Sequence, residues 1–378
     1  MKLSTIVRLV VQSVFKLLPL QNKVVFENFR GRGMGDDPKY IALALLKDKS
    51  QKIKLIWLCN NVKEKYPDGI VPVKYKSLRS IYELSTAKVW VYNTKDGFKI
   101  PKRKGQFYIQ TWHSSMGLKK VEKDAGLAPS YQRFLAKDAA MTDLMYANSD
   151  FRVELYKKSF WYDGEVLRSD LPRMSLLINP EKSRAAYNRV HEFYGLDEDC
   201  KIILYAPTFR NNADISLYKF DYDAVVRIAE AKFGGKFVML LRLHPKLNRF
   251  KNEFLYNAEV IQASDYPDMQ ELLAASEILI SDYSSSIFDF GAVGKLVLLY
   301  VPDLDAYLSS DRGLYFEMEE LPFEKGKSDE ALCEALYKVD MVNYKKNCQM
   351  FYNKIGYKDD GNGDVCIAQK IVQHIEKI

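Results

Sequence analysis

The chain has 378 residues, 47% of them apolar, with 25 Tyr, 20 Phe and 4 Trp; the length supports two domains and the aromatic content excludes a disordered chain. Lys plus Arg total 56 against 49 Asp plus Glu, and the net charge of +7 favours anionic surfaces or substrates without requiring nucleic acid. The five cysteines are scattered and free of any Cys-x-x-Cys pair, which argues against a disulfide framework and a zinc site and fits a reducing compartment.

No uncharged apolar stretch approaches the roughly 18–20 residues that span a bilayer. The first 22 residues instead read as an amphipathic helix. Leu3, Ile6, Val7, Val10, Val14, Leu17 and Leu18 recur at helical spacing, Arg8, Gln12 and Lys16 form a polar stripe beside Thr5, and no acid precedes Glu27. Such a helix suits an anionic membrane surface, and Arg8 interrupts the apolar run that a signal peptide would need.

After Pro19 short β-rich runs alternate with helical patterns, the signature of parallel α/β units. Strands are expected at Val24–Phe26, Ile53–Leu58, Val89–Tyr92, Phe107–Trp112 and Met145–Ala147, with helices at Pro38–Leu46, Leu78–Leu84 and Tyr131–Ala140. A second series has strands at Ile202–Ala206, Phe237–Leu243, Val260–Ile261, Ile278–Ile280 and Leu296–Tyr300, separated by helices at Asp221–Phe233, Asp268–Ala275 and Ser286–Val293. A polar helical pattern from Glu181 to Tyr194 ends at Gly195, a residue suited to the positive φ of a helix C-cap, and the domain boundary is placed there. The expected architecture is α/β, with Rossmann-like domains at 23–195 and 196–378 facing a cleft, the second carrying a closing helix from Asp364.

Ligands of open parallel sheets bind beyond the carboxyl ends of the strands, so the residues just after each strand are the candidates. They are His113; Pro207, Thr208, Phe209 and Arg210; His244 with Pro245; and Asp282 to Ser286. A strand followed by Ser284, Ser285 and Ser286 and then an apolar helical run offers hydroxyls and unpaired backbone N–H groups to a phosphate, although Ser284 or Ser285 would serve equally as a plain N-cap. His113 is the general-base candidate because imidazole titrates nearest neutral pH. His191 and His374 fall in polar helical patterns and read as surface positions. Asp303 and Asp305 form an Asp-x-Asp pair that reads as a solvated loop, and Lys119 and Lys120 suit either a phosphorylated ligand or a wet helix face. No P-loop or Gly-x-Gly-x-x-Gly is present.

Taken in order, several segments resemble the CDP-glycerol:polyol-phosphate glycerophosphotransferase family of teichoic-acid primases and polymerases. They are Phe26 to Phe29 with Gly33 to Pro38, Trp112-His113 with Leu118 to Lys120 and Asp124, Ala206 to Arg210, Leu243-His244-Pro245, Ser281 to Ser285, Arg312 to Phe316 and Asp360-Gly361. The resemblance implies two domains of the glycosyltransferase-B type, peripheral attachment to the cytoplasmic face of the bacterial membrane, and transfer of glycerol phosphate from CDP-glycerol to a lipid-linked acceptor with release of CMP. It implies catalytic roles for His113 and His244 and donor binding by Thr208, Arg210, Asp282, Ser284 and Ser285. No tightly bound cofactor is expected, and Mg²⁺ enters only with the nucleotide. Two segments depart from the family's usual pattern. Trp112-His113-Ser114-Ser115-Met116 replaces Trp-His-Gly-Thr-Pro, and Asp170 to Ser175 replaces Gly-x-Pro-Arg-Asn-Asp, changes compatible with CDP-ribitol or another acceptor. Other readings are a nucleotide-sugar glycosyltransferase of the same fold and an inactive membrane-bound protein that binds polyol-phosphate polymer.

Overall fold

The computed structural model describes residues 10–48, 52–95, 100–114, 116–210, 214–310 and 313–377. Leu3, Ile6, Val7, Arg8, Ser115 and Arg312 lie outside them. The chain divides into two compact units: Met1–His113, Val121–Ser175 and Lys358–Ile378 form the first, and Ser114–Lys120 with Leu176–Tyr357 the second.

The first unit is built on five strands, β1 (Gln21–Glu27), β2 (Lys54–Cys59), β3 (Ile70–Lys74), β4 (Ala87–Tyr92) and β5 (Phe107–Gln110), all parallel and ordered β3-β2-β1-β4-β5. Val24, Val25, Phe26, Trp57 and Trp90 are fully buried, as a sheet covered on both faces requires. The order reverses between β1 and β4, so their carboxyl ends flank a topological switch point. Strands β6 (Met145–Ala147) and β7 (Val166–Arg168) form a separate parallel pair.

The second unit repeats the plan. Strands β8 (Lys201–Tyr205), β9 (Phe237–Leu241), β10 (Val260–Gln262), β11 (Ile278–Ser281), β12 (Leu296–Tyr300) and β13 (Glu324–Gly326) lie in the order β10-β9-β8-β11-β12-β13, all parallel. Its switch point falls between β8 and β11. Two Rossmann-like units agree with the expected fold class.

The chain divides elsewhere than at Gly195. Gly195 does cap its helix with φ +64°, but that helix, Pro180–Tyr194, packs on the Met269–Ala275 helix of the second unit, with Arg189 3.0 Å from Glu271. The crossing therefore comes earlier, between Ser175 and Leu176. The closing helix Gly363–Glu376 belongs to the first unit, where it packs on the Asp36–Lys47 helix and accepts a hydrogen bond from Lys88 Nζ to the Ile375 carbonyl. Its entry is pinned by Asp359, which accepts from Leu171 N and Asn148 Nδ2, and by Gly363, where a Cβ would stand 2.4 Å from the Leu171 backbone.

Residues 10–15 are helical. Gln12 faces inward, fully buried, and donates to the Pro101 carbonyl, while Val11 and Phe15 pack on the core. Of the expected polar stripe, Gln12 is thus turned against the unit, while the aliphatic Val10, Val14 and Leu17 are 60%, 59% and 86% exposed.

Candidate active site

His113 follows β5 at the carboxyl edge of the first sheet. The turn is tight, with Trp112 at φ +58°, a conformation that costs a non-glycine residue roughly 1–3 kcal/mol and persists only where its surroundings hold it. Those surroundings are visible: the His113 ring lies 4.3 Å from Trp112 and 5.6 Å from Phe29, centroid to centroid, and Arg152 Nη2 donates to the Thr111 carbonyl. His113 Nδ1 stands 2.9 Å from the Asn93 carbonyl oxygen. A carbonyl can only accept, so Nδ1 carries the hydrogen and Nε2 keeps its lone pair. Burial lowers the imidazole pKa below its ordinary value, against the opposing pull of the Asn93 carbonyl and Asp36. The ring is therefore neutral at pH 7 with Nε2 ready to take a proton.

Behind His113 stands a polar network that the sequence pattern does not announce. Asn93 Nδ2 donates to Asn28 Oδ1 and Asp36 Oδ2, Phe29 N donates to Asn93 Oδ1, and Arg173 Nη1 donates to Asp36 Oδ1 at 2.9 Å. Arg173 N and Tyr146 OH both donate to Asp37, whose pKa burial pushes up to about 6 against the attraction of Arg173. Asn93 follows β4 directly, so the strand-end rule applied there would have found it. Arg173 sits in the altered Asp170–Ser175 segment, and its ion pair explains what that segment does: it ties the chain, just before it crosses, to the start of the Asp36–Lys47 helix.

In the second unit the other candidates cluster at the carboxyl ends of β9, β8 and β11, which are neighbours in the sheet. Thr208 N donates to both oxygens of Asp282 at 3.0 Å. Arg210, 3% exposed, is bidentate to Asp303 through Nε and Nη2, while Nη1 donates to Asp282 at 2.6 Å and to Thr208. Burial opposes its charge, but the two carboxylates hold the guanidinium firmly protonated. Its cation also lies 4.8 Å from the Tyr283 ring, which stacks on Tyr307 at 3.7 Å. The structure therefore points most Arg210 donors at the protein itself, a correction to the expectation that they reach a phosphate. Asp303 is likewise an internal partner of Arg210 and Tyr283 rather than part of a solvated loop, and the exposed Asp305 opens the helix Leu304–Ser310.

Ser284 and Ser285 are half-buried at the start of the Ser286–Ala292 helix. Ser285 makes no side-chain capping bond, whereas Ser284 Oγ accepts from Ser286 N at 3.3 Å and lies 2.8 Å from Ser286 Oγ, so the capping reading describes Ser284 and not Ser285. His244 caps the 3₁₀ segment Pro245–Glu253: its Nδ1 accepts from Lys246 N at 3.2 Å, which leaves the hydrogen on Nε2.

Lys120 N donates to Gly313 O and Tyr315 N to Leu118 O, joining two of the motif segments by backbone pairing, and Lys119 lies 5.2 Å over the Tyr307 ring. His191 is buried, with its ring nitrogens 2.9 and 2.8 Å from the Tyr187 and Cys200 carbonyls, and His374 stacks on Phe107 at 4.5 Å. Neither is the plain surface residue that the polar pattern suggested.

Two parallel Rossmann-like sheets with polar side chains gathered at each switch point give the fold of the glycosyltransferase-B type, whose ligands bind at those strand ends. Residues 10–377 match the family described as CDP-Glycerol:Poly(glycerophosphate) glycerophosphotransferase, and the chain belongs to it. It is 28% identical over 377 residues to a teichoic acid poly(glycerol phosphate) polymerase of Bacillus spizizenii, covering 96% of this chain and 95% of that one. The corresponding polymerase of Bacillus subtilis strain 168 is 27% identical over 374 residues, covering 95% of this chain, which spans about half of that protein's length (49%). Among solved structures, the wall teichoic acid polymerase TagF soaked with CDPG superposes with a TM-score of 0.84 at 28% identity, over 98% of this chain and 94% of that one. The chain is thus an enzyme, a CDP-glycerol glycerophosphotransferase.

Proposed function

We propose that the enzyme transfers glycerol phosphate from CDP-glycerol to a hydroxyl of a lipid-linked polyol-phosphate acceptor, releasing CMP, in the synthesis of a teichoic-acid-type polymer. The observation that supports these residue roles is the opposite tautomers of the two histidines: His113 offers a lone pair at Nε2 and His244 an N–H. The acceptor hydroxyl gives its proton to His113 Nε2 as its oxygen attacks the glycerol-bearing phosphorus. The bond from that phosphorus to the bridging oxygen breaks, and CMP departs with the electron pair. The His244 Nε2–H and the Ser284 and Ser285 hydroxyls stabilise the charge gathering on the departing phosphate. Arg210, Asp282 and Thr208 fix the strand-end loops from behind.

The enzyme works at the cytoplasmic face of the membrane in this reading. The exposed Val10, Val14 and Leu17 support it, as does the acid-free basic flank before Glu27. Among the described residues no helix is long and apolar enough to cross a bilayer.

The test supplies CDP-glycerol or CDP-ribitol with a lipid-linked acceptor and identifies the released nucleotide. CMP formation that depends on His113 upholds the proposal; a nucleoside diphosphate released from a nucleotide sugar, or polymer binding without turnover, overturns it. Cosedimentation with anionic vesicles tests the surface: Val14→Glu with Leu17→Glu should release the protein, and equal binding would rule this helix out as the contact.

A further inference from the structure

We propose that Asn93 is a positioning residue for the transfer reaction, its side chain pinning the main-chain carbonyl that holds His113 in the Nδ1–H tautomer. The inference rests on the reading of His113 as the general base. A neutral imidazole free in water favours hydrogen on Nε2, the form that cannot accept a proton there, so the protein must impose the other form.

Asn93 is placed to do so. It is fully buried and follows β4, which lies between β1 and β5 in the sheet, so it borders both the loop after β1 and the loop that carries His113. Its amide is held from three directions: Oδ1 accepts from Phe29 N at 2.8 Å, and Nδ2 donates to Asn28 Oδ1 at 2.7 Å and to Asp36 Oδ2 at 2.9 Å. Asp36 is itself fixed by Arg173. With both hydrogens and the oxygen of the amide engaged, the residue has one orientation, and its carbonyl points at His113 Nδ1. The amide is specifically required. Asp would set a second carboxylate oxygen against Asp36, and Leu would leave the Phe29 N–H and the Asn28 oxygen buried without partners.

The chain has four histidines, so a histidine-selective ¹⁵N spectrum of the full-length protein can report each ring. The expected result is the Nδ1–H form for His113 in the native protein; the Nε2–H form would overturn the proposal without any variant being made. Asn93→Ala should convert His113 to a tautomer mixture and lower kcat on the order of 10²-fold, the usual cost of a small misplacement, with KM for CDP-glycerol unchanged. Asn93→Asp should move the acid limb of kcat/KM to higher pH, because it adds negative charge beside a ring already facing the Asp36 carboxylate and the Arg173 and Arg152 guanidiniums. Asn28→Ala, which removes one of the three anchors, should give a smaller change in the same direction if the Asn93 variants fail to fold. A variant that loses stability yet keeps the native His113 tautomer and kcat would overturn the proposal. His113→Ala separates the two ideas: full activity there removes the base and with it any catalytic part for Asn93, whereas the native spectrum still decides what the Asn93 carbonyl does.

Discussion

The loops that carry His113 and His244 place the same side chain after a parallel strand and prepare it in opposite ways. At His113 the neighbour is a carbonyl, so the ring offers a lone pair; at His244 the neighbour is the Lys246 backbone N–H, so the ring offers a hydrogen. In the proposed mechanism the backbone around each ring, more than the residue type, makes one a proton acceptor and the other a donor to phosphate. Arg210 sharpens the lesson from the other side, since the cation most suited to a phosphate is turned onto Asp282 and Asp303.

The largest expected effect breaks the comparison at His113. His113→Gln keeps size and hydrogen bonding but cannot take up a proton, and should lower turnover by about 10²–10⁴-fold. His244→Gln, which preserves a donor, should recover much of what His244→Ala loses. Equal losses in His244→Gln and His244→Ala would show that His244 does more than donate. Next, Arg210→Ala should destabilise the second unit by about 3–5 kcal/mol, because it strands two carboxylates in a buried site. A melting transition close to the native one, with weakened nucleotide binding, would return Arg210 to the ligand. Ser284→Ala with Ser285→Ala should weaken CDP-glycerol binding about tenfold, the worth of one charge-assisted bond, leaving the melting transition in place; calorimetry reads both.

Two smaller effects follow from titration. Burial holds the His113 pKa below the ordinary 6.5, so kcat/KM should rise with pH to a plateau whose midpoint lies under that value. Glu122 behaves in the reverse sense for stability. Burial outweighs its ion pair with Lys95 and raises its pKa from 4.5 to about 7, so the folded state binds a proton that the unfolded chain has released. Stability from this group is full below pH 4.5 and is lost as pH climbs through about 7. Glu122→Gln should flatten that slope in a denaturant series measured across the same window.

Much of the fold was legible because the strands that form the two sheet centres are unbroken apolar runs. Val89–Tyr92, Ile278–Ile280 and Leu296–Tyr300 all fall within strands of the structure. The strands missed lie at edges or outside the sheets. β3 contains Pro72, which a central strand would reject and an edge tolerates, and β13 is only Glu324-Lys325-Gly326, with no apolar signal at all. Strand-end logic placed both histidines and the serines just beyond parallel strands, where the structure has them. It passed over Asn93, the residue directly after β4, because an uncharged amide carries no chemical signal of its own, and it misread Asp303 and Arg210 because the partners of a charge come from distant parts of the chain. The domain boundary failed for a related reason: a glycine-capped helix marks where a helix stops, not which sheet it covers.

The return of residues 358–377 to the first unit bears on how the protein is made. A ribosome releases the chain from its N-terminus, yet the helix Gly363–Glu376 that packs on the first unit emerges only after nearly all the rest of both units. The second unit, almost wholly contained in 176–357, has its complete sequence before the first does. The first unit therefore waits, partly uncovered, until residues 358–377 emerge, an interval in which Ile41, Leu45 and their neighbours on the Asp36–Lys47 helix are the apolar surface that a chaperone would meet.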